Sequence, residues 1–368
     1  MEKLKQTTKK SWFKGDKVIL LVTIFLSLVS IYAVYSSGYS AMRNHIFYIL
    51  LGFVFMFFFY NLNYRILSMI APFGLIVAVI LLLITLIWGD GRSISIFGQS
   101  VQTLFLIGFL VLFYIAKILA IRLAHAEKLT RIDIIHLFAV VVVMCGLMAK
   151  SNASTAILLF ISSLVLFFVG NMKVKYILVL LVMGIFAGGI YMTTGIGRGS
   201  TFKNRVHYYI TQDNSAGYGT QMIRSKAAIA RSGILPQGPG NGVIKRVLPE
   251  SESDYVYATI FEEIGLVLGI LIILAYLWLF YRAWLIARRS DGPFGLLIAI
   301  GVGFWFSVQA LIHIGVNCEL LPATGQTLPF ISRGGAAMVF SGMAIGILLN
   351  IGKTAKLQED PIGADNPE

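Results

Sequence analysis

Long apolar runs, broken at intervals by short polar stretches, dominate the chain. A helix crossing a bilayer needs roughly 17 to 25 such residues. Runs of that kind fall near 18–36, 46–61, 66–88, 103–121, 133–149, 155–170, 176–195, 262–285, 293–315 and 335–352. They predict an all-α membrane protein with about ten transmembrane helices. A β-barrel is excluded, because unbroken apolar runs do not alternate between two faces. The organisation read from the pattern is a basic segment 1–17, spans one to seven over 18–195, a long loop 196–261, spans eight to ten over 262–352, and a tail 353–368. The first span follows Lys17 without a small-residue cleavage site and reads as a retained helix.

Composition agrees with this reading: 57% of the 368 residues are hydrophobic and only 13% charged, about half the charge of a soluble domain. The net charge of +13 comes from 30 Lys and Arg against 17 Asp and Glu. In a membrane protein such an excess reports orientation before it reports nucleic acid, and no nucleic-acid partner is expected. Lys3, Lys5, Lys9, Lys10, Lys14 and Lys17 fall on one side, with Arg65, Arg122, Lys128, Arg131, Lys173, Lys175, Arg282, Arg288, Arg289, Lys353 and Lys356. The short loops opposite hold Arg43, Arg92, Lys150 and Arg333. Both termini are therefore expected in the cytoplasm and the 196–261 loop outside, since long loops translocate largely regardless of charge. That loop carries Arg198, Lys203, Arg205, Arg224, Lys226, Arg231, Lys245 and Arg246, a surface suited to an anionic ligand. Cys145 and Cys318 lie too far apart in context to suggest a disulfide framework.

After Asp213, the carboxylates of the long loop cluster at its end: Glu250, Glu252, Asp254, Glu262 and Glu263. From local sequence alone Asp254 reads as a helix cap, with the Glu residues favouring the positive end of that helix. The stretch from Gly233 to Gly242 has the composition of a phosphate-cradling loop. It lacks the preceding strand and the following Lys-Ser/Thr, so a tight turn is the preferred reading. Two Pro and three Gly between Leu321 and Gly335 exceed what a plain loop needs. Irregular backbone at membrane depth is tolerated only beside protein or a water-filled cavity, which predicts a cavity on the outer side. The run from Lys150 to Thr155, on that same side, is a candidate to line it.

Several segments together resemble the shape, elongation, division and sporulation family, the FtsW and RodA proteins of bacteria. They are Asp16 with Tyr35-Ser36-Ser37, Gly89 to Arg92, Asn152-Ala153-Ser154-Thr155-Ala156, Gln221, Gly238-x-Gly240, Leu248-Pro249-Glu250, Ser253 to Ala258, and Glu262-Glu263-x-Gly265. Leu321-Pro322-x-Thr324-Gly325 and Leu328-Pro329-Phe330-x-Ser332-x-Gly334-Gly335 close the set, and the Gln-Thr-Leu-Pro wording leans toward the FtsW branch. The resemblance spans nearly the whole chain. It implies a peptidoglycan glycosyltransferase that polymerises lipid II on the outer face of the cytoplasmic membrane, with Asp254 as general base on the acceptor hydroxyl. It also implies substrate contacts from Arg92, Asn152, Ser154, Thr155, Gln221, Lys226, Glu262, Thr324, Ser332 and Arg333. The partners it implies are a class B penicillin-binding protein, a single-span transpeptidase, and other division or elongation membrane proteins. No cofactor is expected, and the sequence leaves a divalent cation open.

The chain departs from the family pattern where Glu and Lys usually support the cavity. Phe105 and Gly108 stand there instead. Lys117, nine positions beyond Gly108 and about 13.5 Å along a helix, is too distant to substitute. Arg333, standing where the family usually has Tyr, is a candidate replacement cation. Two other function classes stay open at this point: a lipid-linked precursor flippase, and a catalytically weak scaffold. The apolar centres of most spans argue against transport, which needs functional charge near mid-membrane.

Overall fold

The computed structural model describes residues 13–35, 39–89, 94–96, 99–195, 197–214, 217, 219–234 and 237–359. Helices α1 (Lys17–Tyr35), α2 (Tyr39–Asn61) and α3 (Arg65–Trp88) lead to a short antiparallel hairpin, β1 (Ile94–Ile96) and β2 (Gln99–Val101). Then follow α4 (Thr103–Ala124), α5 (Arg131–Ser151), α6 (Ala153–Val169) and α7 (Val174–Thr194). Nine of the described helices are long and apolar enough to cross a membrane, and α6, at 17 residues, is a shorter apolar helix among them. The expected spans are thus all present as helices.

The predicted loop is largely helical. It contains α8 (Gly199–Thr211), α9 (Thr220–Arg231), a 3-10 turn at Ile244–Val247 and α10 (Val256–Ile264). The span expected from residue 262 begins instead as α11 (Leu266–Arg288), followed by α12 (Pro293–Asn317) and α13 (Gly335–Glu359). The break falls at Gly265, whose φ of 88° and ψ of −179° lie in a region essentially closed to other residues. Glu262 and Glu263 therefore ride on a separate short helix.

Helices α4, α12 and α13 form the centre of the bundle, about 70% buried, while α7 lies at the edge with 6% buried. Close packing rests on small residues, as expected where lipid tails remove the hydrophobic drive between helices. A Cβ on Gly342 of α13 would stand 2.1 Å from the Gly52 carbonyl of α2, and one on Gly346 2.4 Å from the Met56 carbonyl. At the start of α1, Asp16 accepts from the Val18 and Ile19 amides at 2.9 and 3.2 Å and pairs with Arg282 of α11. A capped end and a buried ion pair thus fix the first span against the eighth.

Candidate functional site

The starts of α4 and α6, the last turns of α12, the loop after it and the residues before α10 meet at one end of the bundle. They enclose a polar cleft of about 50 Å³, walled in part by Asp254, Asn152, Thr155, Gln309, Gln326 and Phe105. The cavity predicted beside the Pro- and Gly-rich segment is present, though narrow.

Asp254 stands one residue outside the N-cap position of α10. The flanking residue there is Tyr255, whose own side chain makes no capping bond, and the first-turn amide of Ala258 is met from α12 by Asn317. The backbone around Asp254 is held from several directions. Asn317 Nδ2 donates to the Asp254 carbonyl at 3.2 Å, and the Ala258 amide donates to Asn317 Oδ1 at 3.0 Å. Ser332 donates its hydroxyl to the Ser253 carbonyl at 2.6 Å, and the Arg333 amide donates to the Glu252 carbonyl at 2.8 Å. Fixing a reactive group through its supports, before substrate arrives, is how sites reduce reorganisation. Burial pushes the neighbouring Tyr255 hydroxyl up to about 12, the Asp254 charge adding to the shift and Arg205 opposing it. That phenol stays protonated at neutral pH.

The opposite wall begins at Asn152. Its side-chain oxygen accepts from the Ser154 and Thr155 amides at 3.0 and 3.4 Å, so this residue does cap a helix, α6. The Ser154 hydroxyl donates to the Thr324 carbonyl at 3.2 Å, and Gln326 Nε2 donates to the Thr155 hydroxyl at 2.8 Å. The Thr324 hydroxyl is buried and has no hydrogen-bond partner among the described residues. Along α12 the Trp305 indole donates to Gln309 Oε1 at 3.0 Å, Gln309 Nε2 to the Thr327 carbonyl at 2.8 Å, and His313 Nδ1 to the Gln326 carbonyl at 2.7 Å.

Trp305, Gln309, His313 and Asn317 recur every four residues, one face of a helix. This stripe was overlooked in the sequence, yet polar or indole-bearing groups at that spacing in an apolar span are a readable signal. Arg205, on α8, also reaches the site's edge, its Nη1 donating to the Ala323 carbonyl at 3.4 Å.

Other expected contacts lie elsewhere. The Glu262 carboxylate accepts from the Val243 and Ile244 amides at 3.0 Å and from the Lys245 amide at 3.2 Å. Glu263 accepts from Gly240 at 3.1 Å and stands 3.6 Å from Lys245 Nζ. The glycine-rich stretch is thus a turn anchored on these two carboxylates, with Gly238 and Gly240 at φ of 96° and 79°. Lys226 pairs with Glu319 at 2.7 Å, and Gln221 is half-buried on α9, both outside the cleft wall. Arg333 is paired to Glu252 at 2.7 Å and does not line the cleft. Arg92 lies outside the described residues. Among the described residues no group of three His, Cys, Asp or Glu converges as a metal centre would require.

Where Glu and Lys were expected, an aromatic plug stands. Phe105 packs edge-on against Trp305 with centroids 6.1 Å apart and also meets Phe109 and Phe306. A Cβ on Gly108 would lie 2.4 Å from Trp305 Cη2, so the indole occupies the place a side chain at 108 would take. The two departures are one packing arrangement.

Comparisons with known proteins agree with this architecture. Residues 13–357 match the family model FTSW_RODA_SPOVE, described as cell cycle protein. The chain is 26% identical to stage V sporulation protein E of Bacillus subtilis strain 168, over 95% of this chain and 100% of that one. It is 31% identical to a probable peptidoglycan glycosyltransferase FtsW of Escherichia coli O6:H1, over 58% of this chain and 52% of the relative, so that match spans about half of each protein. Its fold is similar to a chain solved in a study of structural coordination of polymerization and crosslinking by a peptidoglycan synthase complex. The TM-score is 0.76 and the identity 19%, covering 94% of this chain and 99% of that one. With the family model matched over nearly its full length, the chain belongs to the FtsW, RodA and SpoVE family of cell cycle proteins.

Proposed function

We propose that this chain is a peptidoglycan glycosyltransferase that polymerises lipid II into glycan strands at the outer face of the cytoplasmic membrane. The observation that carries the reading is Asp254, a carboxylate in the wall of a polar cleft whose flanking backbone is clamped by Asn317, Ser332 and Arg333. In the proposed reaction the Asp254 carboxylate takes the proton of the acceptor sugar hydroxyl. That oxygen bonds to the donor's anomeric carbon as the bond from this carbon to the pyrophosphate breaks, and the polyprenyl pyrophosphate leaves with its negative charge. Exposed Lys203 of α8 and Arg231 of α9 supply a cationic surface for that leaving group. Asn152, Thr155, Gln309 and Gln326 form the polar wall against which the sugars rest, with Ser154 and Thr324 hydrogen-bonded to each other behind it. The proposed orientation has both termini in the cytoplasm, and the proposed partner is a single-span class B penicillin-binding protein.

The test is purified protein with its cognate transpeptidase and labelled lipid II, with polymer resolved on a gel. Asp254→Asn preserves shape and removes the base, so polymer yield falls by at least about 100-fold. Near-normal yield at matched protein levels removes Asp254 from the chemistry. The aromatic plug of Phe105 and Trp305 favours a second reading, a scaffold of the cell-wall machinery. That reading requires no polymer from the parent protein with any cognate partner.

A further inference from the structure

At the end of the bundle opposite the Asp254 cleft, a cavity of about 470 Å³ opens between the start of α3, the end of α4 and the turn joining α11 to α12. Two charged groups in its wall lack what their chemistry requires. Lys117 lies on α4 seven residues before Ala124, which places its Cα about 10 Å inside the helix end. It is half-buried and, among the described residues, has neither a hydrogen-bond nor an ion-pair partner. Asp291 has a side chain 4% exposed, with Arg65 Nη2 3.5 Å from its Oδ2. Both of its oxygens are nonetheless buried without a hydrogen-bond donor among the described residues.

A charge inside a membrane span is costly and marks a binding or transport function. A buried charge needs hydrogen bonds as well as a counter-ion. One ligand can supply both deficits, an anion for Lys117 and a protonated N–H group for Asp291. Basic pockets between transmembrane helices take phospholipid headgroups, and this one opens to lipid past Met69 and Ile121, which are 74% and 45% exposed. We propose that this cavity binds phosphatidylethanolamine from the leaflet at that end, its phosphodiester on Lys117 and Arg65 and its ammonium on Asp291. Phosphatidylglycerol would satisfy Lys117 while setting an uncompensated negative charge near Asp291. Phosphatidylcholine carries the positive charge but no N–H to donate. The site is independent of the reaction proposed for the Asp254 cleft.

Full-length protein in detergent, titrated with the three lipids carrying identical acyl chains and read by native mass spectrometry, tests this. The parent should retain phosphatidylethanolamine about tenfold better than either other lipid, the effect of one charge-assisted hydrogen bond. Asp291→Asn should erase the preference over phosphatidylglycerol, and Lys117→Met should weaken both lipids. Ser68→Phe fills the cavity without touching a charge and should lower phosphatidylethanolamine binding, which keeps the test decisive if a charge variant misfolds. Equal retention of all three lipids by the parent would mean that Lys117 only snorkels to the interface, and the proposal fails. It fails equally if phosphatidylglycerol is preferred, if the ethanolamine preference survives Asp291→Asn, or if Lys117→Met binds both lipids as the parent does.

Discussion

At the scale of single residues, position 108 shows how a departure from a family pattern becomes a packing constraint. Trp305 is fully buried, and its ring lies where any side chain on residue 108 would begin. Restoring a lysine there alone therefore overpacks the centre of the bundle, at a cost of about 1–3 kcal/mol from packing, before any charge is considered. Gly108→Lys should melt at a lower temperature than the parent in detergent, and adding Trp305→Ala should recover part of the loss, a non-additivity expected of residues in contact. An unchanged melting temperature for Gly108→Lys would show that the indole moves aside freely. Trp305 also orients Gln309, and Gln309 the Thr327 carbonyl in the cleft wall. The position is thus tied to the site as well as to stability.

Among elements, the α10–α11 break is the point where sequence and structure part most usefully. Gly265 lies between Ile264 and Leu266 with only Glu262 and Glu263 interrupting the apolar run, so a reading of apolar runs carries the eighth span back across it to residue 262. What separates them is a φ and ψ that only glycine adopts without strain. Gly265→Ala should cost about 1–3 kcal/mol, read as a lowered melting temperature in detergent. Gly188→Ala on α7, where an added Cβ meets nothing within 4 Å and Ala is the better helix former, should raise melting slightly. Equal behaviour of the two variants would refute the strain assignment. The membrane helices were legible because each satisfies its own backbone hydrogen bonds and needs only an unbroken apolar run. The α8 and α9 helices were not, being short and polar, with positions set by contacts such as Tyr208 to Glu319 at 3.2 Å and Ser225 to the Asn317 carbonyl at 2.9 Å. Asp254 lines the cleft at the position its motif marks. The partners of Glu262, three backbone amides of a turn 17 to 19 residues upstream, leave no trace in local composition.

For the whole molecule, the proposed orientation has a direct consequence for accessibility. Lys203 is exposed on α8, at the same end of the bundle as the cleft. In a background lacking Cys145 and Cys318, Lys203→Cys should react with an impermeant thiol reagent in intact spheroplasts, and labelling only after lysis would invert the orientation. The narrowness of the Asp254 cleft reaches further. It encloses about 50 Å³, whereas pockets that hold small ligands run to about 300–1,000 Å³. A disaccharide is larger than that space, so binding one in this cleft requires its walls to move apart. The affinity such a protein displays is its intrinsic affinity scaled by the fraction of time it stands open. A partner that wedges the cleft apart would then act as an activator while contributing no reacting atom. Two variants with identical chemistry at Asp254 could differ about tenfold in turnover at low substrate solely through a shift of about 1.4 kcal/mol in that opening equilibrium.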